Sequence, residues 1–219
     1  EGVIRNTEYS GFNVTSPYKR TVIPFLDELT PEAEALQAVN TIRRLGNGRL
    51  VGHNTDVYGF EKLAKEKRIR GRKVLVLGTG GASSAICQAL RNLGAKEIIR
   101  VSRNRRPEPD CCTYDELNRH SDAQVIVNST PVGMYPNNGH SPLDGCSVKW
   151  TDFQQLETAL DAIYNPYRTK FLMDAEEAGA EVESGLAMLV YQGLRSAQIW
   201  GEVPRSGKGR RIVAEQTRG

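Results

Sequence analysis

From Lys73 onward the apolar positions fall into short β-branched runs separated by longer stretches with helical spacing. Strands are predicted at Lys73–Leu77, Glu97–Val101, Gln124–Asn128 and Ala159–Tyr164. Between the first two, Ala82, Ala85, Ile86, Ala89, Leu90 and Leu93 recur at intervals of three and four, which predicts a helix over Ala82–Leu93 and so one βαβ unit. Strands alternating with helices in this way are the mark of a parallel α/β sheet.

Before residue 60 the texture differs. Gly11–Thr15, Ala38–Ile42 and Leu50–Gly52 read as short strands, with helices predicted at Thr21–Leu29 and Pro31–Leu36, so this part forms a separate, smaller α/β layer. Asp56–Glu66 reads as a helical connector, and the basic stretch Lys67–Arg72 as a boundary between domains. Leu186, Leu189, Val190, Gly193, Leu194 and Ala197 share one face of a helix predicted over Gly185–Trp200, and the polar tail after Pro204 is expected to be mobile.

A chain of 219 residues holds one large domain or two small ones, and an apolar content of 39% excludes disorder. Lys and Arg number 29 against 26 Asp and Glu; the net charge of +3 is spread along the chain, and the basic stretches Lys62–Lys73 and Arg205–Arg211 carry no aromatics. Nucleic-acid binding is therefore not expected. No apolar run approaches a membrane span, and Glu1–Asn6 lacks a basic segment leading into an apolar one, so no membrane association and a cytoplasmic location are expected. Cys87, Cys111, Cys112 and Cys146 show no CxxC spacing and His53, His120 and His140 are scattered, so reduced thiols and no metal are expected.

The run Gly78-Thr79-Gly80-Gly81-Ala82 follows a predicted strand and opens a predicted helix. In a dinucleotide loop Gly78 would permit the tight turn, Gly80 would let the backbone approach a pyrophosphate, and Ala82 and Ala85 would let the helix lie close to the strand. The diphosphate would meet unpaired N–H groups at the positive end of the helix dipole. Where an NAD enzyme carries a carboxylate after the second strand, this chain has Ser102, Arg103, Asn104, Arg105 and Arg106. A guanidinium binds a 2′-phosphate that a carboxylate repels, so NADP is expected in preference to NAD. The bland alternative is a tight βα turn in any open sheet, with arginines covering a solvated loop.

Asn13-Val14-Thr15-Ser16-Pro17-Tyr18-Lys19 sets polar groups at a strand end and then Lys19; Asn40 and Asp56 stand near two further strand ends. A lysine oriented by a carboxylate is a proton-transfer pair. Taken singly, each residue reads as an exposed lysine or as a turn or cap residue.

These motifs, from about Gly11 to Trp200, resemble the shikimate dehydrogenase family, NADP-dependent enzymes of aromatic amino-acid (chorismate) biosynthesis. The pattern NVTxPxK is met by Asn13–Lys19, AVNT by Ala38–Thr41, NTD by Asn54–Asp56, GxGGAxxA by Gly78–Ala85 and NxTPxGM by Asn128–Met134. The strand ending in Tyr164, the segment Gly185–Val190 and Gln192-Gly193 match later signatures. The resemblance implies a Rossmann-like parallel-sheet NADP domain (58–184) beside a smaller α/β substrate domain (1–57), with residues 185–219 returning to the latter. It implies reversible reduction of 3-dehydroshikimate to shikimate without a metal, by a monomer or homodimer. Lys19 and Asp56 would be catalytic, and Thr15, Asn40, Tyr164 and Gln192 would contact the substrate. Gly78, Thr79, Gly80, Gly81 and Ala82 would hold the pyrophosphate, Ser102, Arg103 and Asn104 the 2′-phosphate, and Ala162, Gly185 and Met188 would line the nicotinamide pocket.

Two departures stand out. The family's NRT segment aligns with Ser102-Arg103-Asn104, and its early SxSP motif is not met by Asn6–Ser10, so the chain is expected to be an N-terminally incomplete piece of a longer enzyme. Alternatives are a quinate/shikimate dehydrogenase with relaxed cofactor choice, and a non-catalytic module that binds NADP or a pathway metabolite.

Overall fold

Two compact units make up the computed structural model, one of residues 1–59 with 190–219 and one of residues 60–189. Residues 2–5, 9–15 and 17–201 are described; the polar tail after Pro204 lies outside them.

The first unit opens with a short helix, α1 (Gly2–Arg5), and carries strands β1 (Gly11–Asn13) and β2 (Glu28–Leu29), helix α2 (Pro31–Leu36), and strands β3 (Thr41–Arg44) and β4 (Leu50–His53). Its sheet runs β1-β3-β4-β2. β3 and β4 form an antiparallel hairpin with Thr41 opposite His53, β1 is antiparallel to β3, and β2 parallel to β4. Ala33, Val39, Ile42 and Leu50 are buried together under Val14, Ile23 and Leu26. α2 forms as its sequence predicts, with Thr30 accepting a hydrogen bond from the Ala33 N–H and Pro31 in the first turn. The helix predicted at Thr21–Leu29 does not form. Only one 3₁₀ turn, Ile23–Phe25, is present, and Leu26 is already extended at ψ 151°. Pro24 removes a donor that a longer helix needs. Asp27 instead exchanges bonds with Leu50: its N–H donates to the Leu50 carbonyl at 3.0 Å and its carboxylate accepts from the Leu50 N–H at 2.8 Å.

In the second unit, β5 (Lys73–Leu77) leads through α4 (Gly81–Asn92) to β6 (Glu97–Ser102). β7 (Cys111–Thr113), β8 (Val125–Asn128), β9 (Thr158–Asp161), α5 (Lys170–Glu177) and β10 (Glu181–Glu183) follow. All neighbours are parallel in the order β10-β9-β8-β5-β6-β7. This is the doubly wound Rossmann order, in which the chain works outward from β5 in both directions and leaves a crevice beyond the ends of β5 and β8. Leu75, Leu77 and Ile126 of the central strands are wholly or almost wholly buried, as a sheet covered on both faces requires. The predicted strand Ala159–Tyr164 runs instead from Thr158 to Asp161. The Asp161 carboxylate accepts the Ile163 N–H at 2.9 Å and turns the chain, leaving Tyr164 in an exposed loop.

Helix α3 (Asp56–Ala64) and helix α6 (Leu186–Trp200) each contain a boundary between the units. Among the described residues no helix is long and apolar enough to cross a membrane.

Truncating the fully buried Leu75 in β5 removes packing on a strand paired on both sides. Leu75→Ala is expected to lower stability by about 2–5 kcal/mol, while Met173→Ala on the exposed face of α5 stays within about 0.5 kcal/mol. Urea unfolding of the two variants checks the contrast.

Candidate active site

In the first unit the β3–β4 hairpin sets Asn40, just before β3, against the residues that follow β4. The Asn40 N–H donates to the His53 carbonyl at 3.1 Å, and the Thr55 N–H donates to Asn40 Oδ1 at 2.8 Å. Asp56 then opens α3, where the helix dipole favours a carboxylate. Asn54 secures this corner: its Nδ2 donates to the Ala38 carbonyl at 3.0 Å and its Oδ1 accepts the Asp56 N–H at 3.0 Å.

The Asp56 carboxylate is held from two sides. Asn40 Nδ2 donates to Oδ1 at 2.8 Å and Lys19 Nζ to Oδ2 at 2.6 Å. The two charged side chains retain 18% and 9% of their exposure, so both are largely withdrawn from water. A pair so withdrawn adds little net stability, but removing one partner strands the other charge. An ammonium carries three donors, of which this carboxylate takes one, so Lys19 can at the same time engage an oxygen of a ligand.

The network continues into α6. Thr55 Oγ1 lies 3.4 Å from Gln192 Oε1, and the fully buried Ser196 hydroxyl is 2.7 Å from Thr41 Oγ1. Lys19, Asp56, Asn40 and Gln192 are thus joined through Thr55. Thr15 is exposed, and its carbonyl accepts the Tyr18 N–H at 2.9 Å. Tyr164 belongs to the other unit. Thr41 and Thr55 lie inside the AVNT and NTD motifs with no role expected of them, and Ser196 does not stand out in the sequence; its usable signal is its place one helical turn after Gln192.

In the second unit a cavity of about 750 Å3 opens beyond the ends of β5, β6 and β8. Of the residues expected to hold a dinucleotide, Gly78, Thr79, Gly80, Ser102, Arg103 and Asn104 line it, with Arg106 beside them. Gly78 has φ +105°, and a Cβ there would fall 2.9 Å from Ser129 Oγ. Its carbonyl is pinned by the Ser83 hydroxyl at 2.8 Å. At Gly80 and Gly81 a Cβ would meet nothing within 4 Å, and α4 starts with no side chain capping its first N–H groups. Open space over two glycines, uncapped donors and the Arg103 and Arg106 guanidinium groups fit a dinucleotide carrying an additional phosphate. Arg106 Nε donates to Ser102 Oγ at 3.3 Å. Tyr114, also on the wall, has its hydroxyl pushed up to about 12 by burial and stays neutral.

Gly81, Ala82, Ala162, Gly185 and Met188 do not line that cavity. Gly81 and Ala82 begin α4. Gly185 packs on Ala162 so closely that a Cβ would lie 2.3 Å from the Ala162 carbonyl oxygen, and the Gly185 N–H donates to the Ile163 carbonyl at 2.9 Å. Met188 is buried in the first turn of α6. Beside them stands Asp161, fully buried, which sequence reasoning misses. Its signal is an acidic residue closing an apolar strand in register with Asn128 of β8. The four cysteines are free thiols, and among the described residues no group of three or more His, Cys, Asp or Glu could hold a metal ion.

The family model described as the shikimate dehydrogenase substrate binding domain matches residues 2–42. A curated shikimate dehydrogenase (NADP(+)) from Bacillus cereus (strain G9842) is 36% identical over 227 residues, covering 96% of this chain and 80% of the relative. The crystal structure of a chorismate mutase/shikimate 5-dehydrogenase fusion protein from Clostridium acetobutylicum superposes with a TM-score of 0.86 at 35% identity, over 99% of this chain and 80% of that one. Shikimate 5-dehydrogenase from Thermus thermophilus, in complex with NADP(H) and shikimate, gives a TM-score of 0.80 at 31% identity, over 98% and 82%.

Asp161 gives this unit a pH signature. Burial pushes its carboxyl from 3.8 to about 6 against the bonds from Thr169, Ile163 and Asn128 that favour the anion. Folding therefore favours the neutral form: stability is fullest below about pH 4 and declines as pH rises through 6, by about 3 kcal/mol in total. Asp161→Asn, neutral throughout, is expected to flatten this decline and to melt higher than the parent at pH 8. Thermal melts of both proteins between pH 3.5 and 8 check it, the parent losing stability between about pH 4 and 6 and levelling off above.

Proposed function

The chain belongs to the shikimate dehydrogenase family, and from that premise we propose that Lys19 and Asp56 are the catalytic pair of its reversible, NADP-dependent reduction of 3-dehydroshikimate to shikimate. The observation that carries this reading is the 2.6 Å contact between Lys19 Nζ and an Asp56 carboxylate whose other oxygen is held by Asn40. In the reducing direction Lys19 gives a proton to the oxygen of the reacting carbonyl as it becomes an alkoxide, and in the oxidising direction it takes that proton back. Asp56 aims the ammonium throughout, and Asn40 prevents the carboxylate from turning away. When bound, NADP supplies the hydride acceptor, and NADPH the donor.

Thr15, Asn40, Gln192 and Tyr164 contact the substrate ring and its hydroxyls in this reading, and residues 1–57 with the end of α6 form the substrate domain. Gly78–Ala82 hold the diphosphate at the start of α4. Ser102, Arg103 and Asn104, with Arg106 added from the cavity wall, hold the 2′-phosphate. Ala162, Gly185 and Met188 lie along the nicotinamide, so residues 58–184 and the first turn of α6 form the cofactor domain. Four free thiols support a reducing, cytoplasmic setting, and the chain acts as a monomer or homodimer.

Shikimate-dependent NADPH formation at alkaline pH tests the assignment. Lys19→Ala is expected to lower kcat by about 10²–10⁴-fold with the KM for NADP unchanged; a variant that keeps most of its turnover would falsify the role of Lys19. A second measurement concerns the cofactor. Arg103→Ala is expected to raise the KM for NADP by about 10- to 100-fold, as loss of a hydrogen bond to a charged group implies, while the KM for NAD stays where it was.

A further inference from the structure

We propose that Asp161 is a positioning residue for this reaction: its carboxylate ties the loop after β8 to the loop after β9 and thereby sets the wall formed by Ala162, Gly185 and Met188. The proposal rests on the reading of that wall as the nicotinamide's.

The geometry is a convergence of three segments on one buried carboxylate. Oδ1 accepts from Asn128 Nδ2 at 3.1 Å, at the end of β8, and from the Ile163 N–H at 2.9 Å, in the loop after β9. Oδ2 accepts from the Thr169 hydroxyl at 2.6 Å, and Thr169 is also the N-cap of α5. Asn128 passes the constraint outward, because its Oδ1 takes the N–H and hydroxyl of Thr130 at 2.9 and 2.7 Å and its Nδ2 also reaches the Val132 carbonyl at 3.2 Å. Ile163 passes it the other way, through its carbonyl to the Gly185 N–H. From the carboxylate to Gly185 there is one hydrogen bond, one residue and a second hydrogen bond. Thr130, on the opposite arm, lines the dinucleotide cavity.

A neutral amide would complete much of the same pattern without a buried charge. What the anion adds is strength in three bonds at once, since hydrogen bonds to an ionised acceptor are shorter and about twice as strong as neutral ones. The groups packed on the carboxylate, Asn128 from β8, Thr169 from α5 and the Ile163 N–H from its own loop, do not titrate. Lys170, the charged neighbour on α5, is paired with Asp144 and Asp174. The pH response of this junction is therefore that of Asp161 itself, whose carboxyl burial lifts to about 6.

The test compares Asp161→Asn with the parent, full chain against full chain, in steady-state shikimate oxidation from pH 5 to 8. Binding of adenosine 2′,5′-bisphosphate, a probe lacking the nicotinamide, is measured alongside. At pH 8 kcat is expected to fall about 10-fold while the affinity for the bisphosphate stays within about twofold. Below pH 6 the parent becomes protonated at the same position, so the ratio of the two kcat values should shrink toward one. Thr169→Val, which removes one of the three bonds, should lower kcat in the same sense and serves if Asp161→Asn does not fold. An unchanged kcat, a ratio independent of pH, or bisphosphate binding weakened in step with kcat would each overturn the proposal. Met188→Ala separates this from the underlying reading. If it lowers kcat while Asp161→Asn does not, the wall stands and the proposal falls. If Met188→Ala has no kinetic effect, the nicotinamide reading of the wall fails and takes the proposal with it.

Discussion

A carboxylate withdrawn from water has to be paired with a cation, bonded by several donors, or neutral, and this requirement organises the working end of each unit. Asp56 meets it with a cation: Lys19 on one oxygen, the Asn40 amide on the other. Asp161 meets it with an amide, a hydroxyl and a backbone N–H and no cation. The two solutions have different chemical characters. A lysine held by a carboxylate keeps a proton that can leave, whereas a carboxylate held by fixed dipoles resists movement of the segments that hold it.

Both arrangements depend on sheet register more than on nearness in sequence. In the first unit the antiparallel hairpin, with Thr41 opposite His53, brings the Asn40 side chain to the N–H of Thr55, fifteen residues later, and so makes a seat for Asp56. In the second, parallel pairing sets Asn128 level with Asp161, and a bond across the strand ends is the result. The doubly wound order adds the crevice: loops after β5, β6 and β8 meet there only because the chain departs from β5 to both sides. Chemistry at strand ends is thus inherited from pairing in the middle of the strands.

This explains what could be read from the chain and what could not. β5 and α4 were legible to within a residue, since each carries enough apolar periodicity to declare itself and the glycines between them mark the turn. Lys19, Asp56 and the glycine loop were legible as motifs. β7 and β10 are three residues each and take their form from one parallel neighbour, so local pattern says little about them. Thr21–Leu29 has the apolar content of a helix, but Pro24 and the pairing of Asp27 with Leu50 decide otherwise. Asp161 was invisible for a related reason: a single acid closing an apolar strand acquires meaning only when register brings Asn128 beside it and the following loop returns Thr169.

The small residues of the nucleotide-facing turn do not all answer to the same demand. Gly78 is required by the chain's own backbone, whose φ of +105° would drive a side chain into Ser129. Over Gly80 and Gly81 the protein has no atom to be struck. At those two positions the fold sets no neighbouring side chain or strand against an added Cβ, whereas a dinucleotide seated on the turn would be in its way. In a descendant that had ceased to use it, drift would fill positions 80 and 81 early and leave Gly78 in place, and an idle copy could be told from a working one by that difference alone.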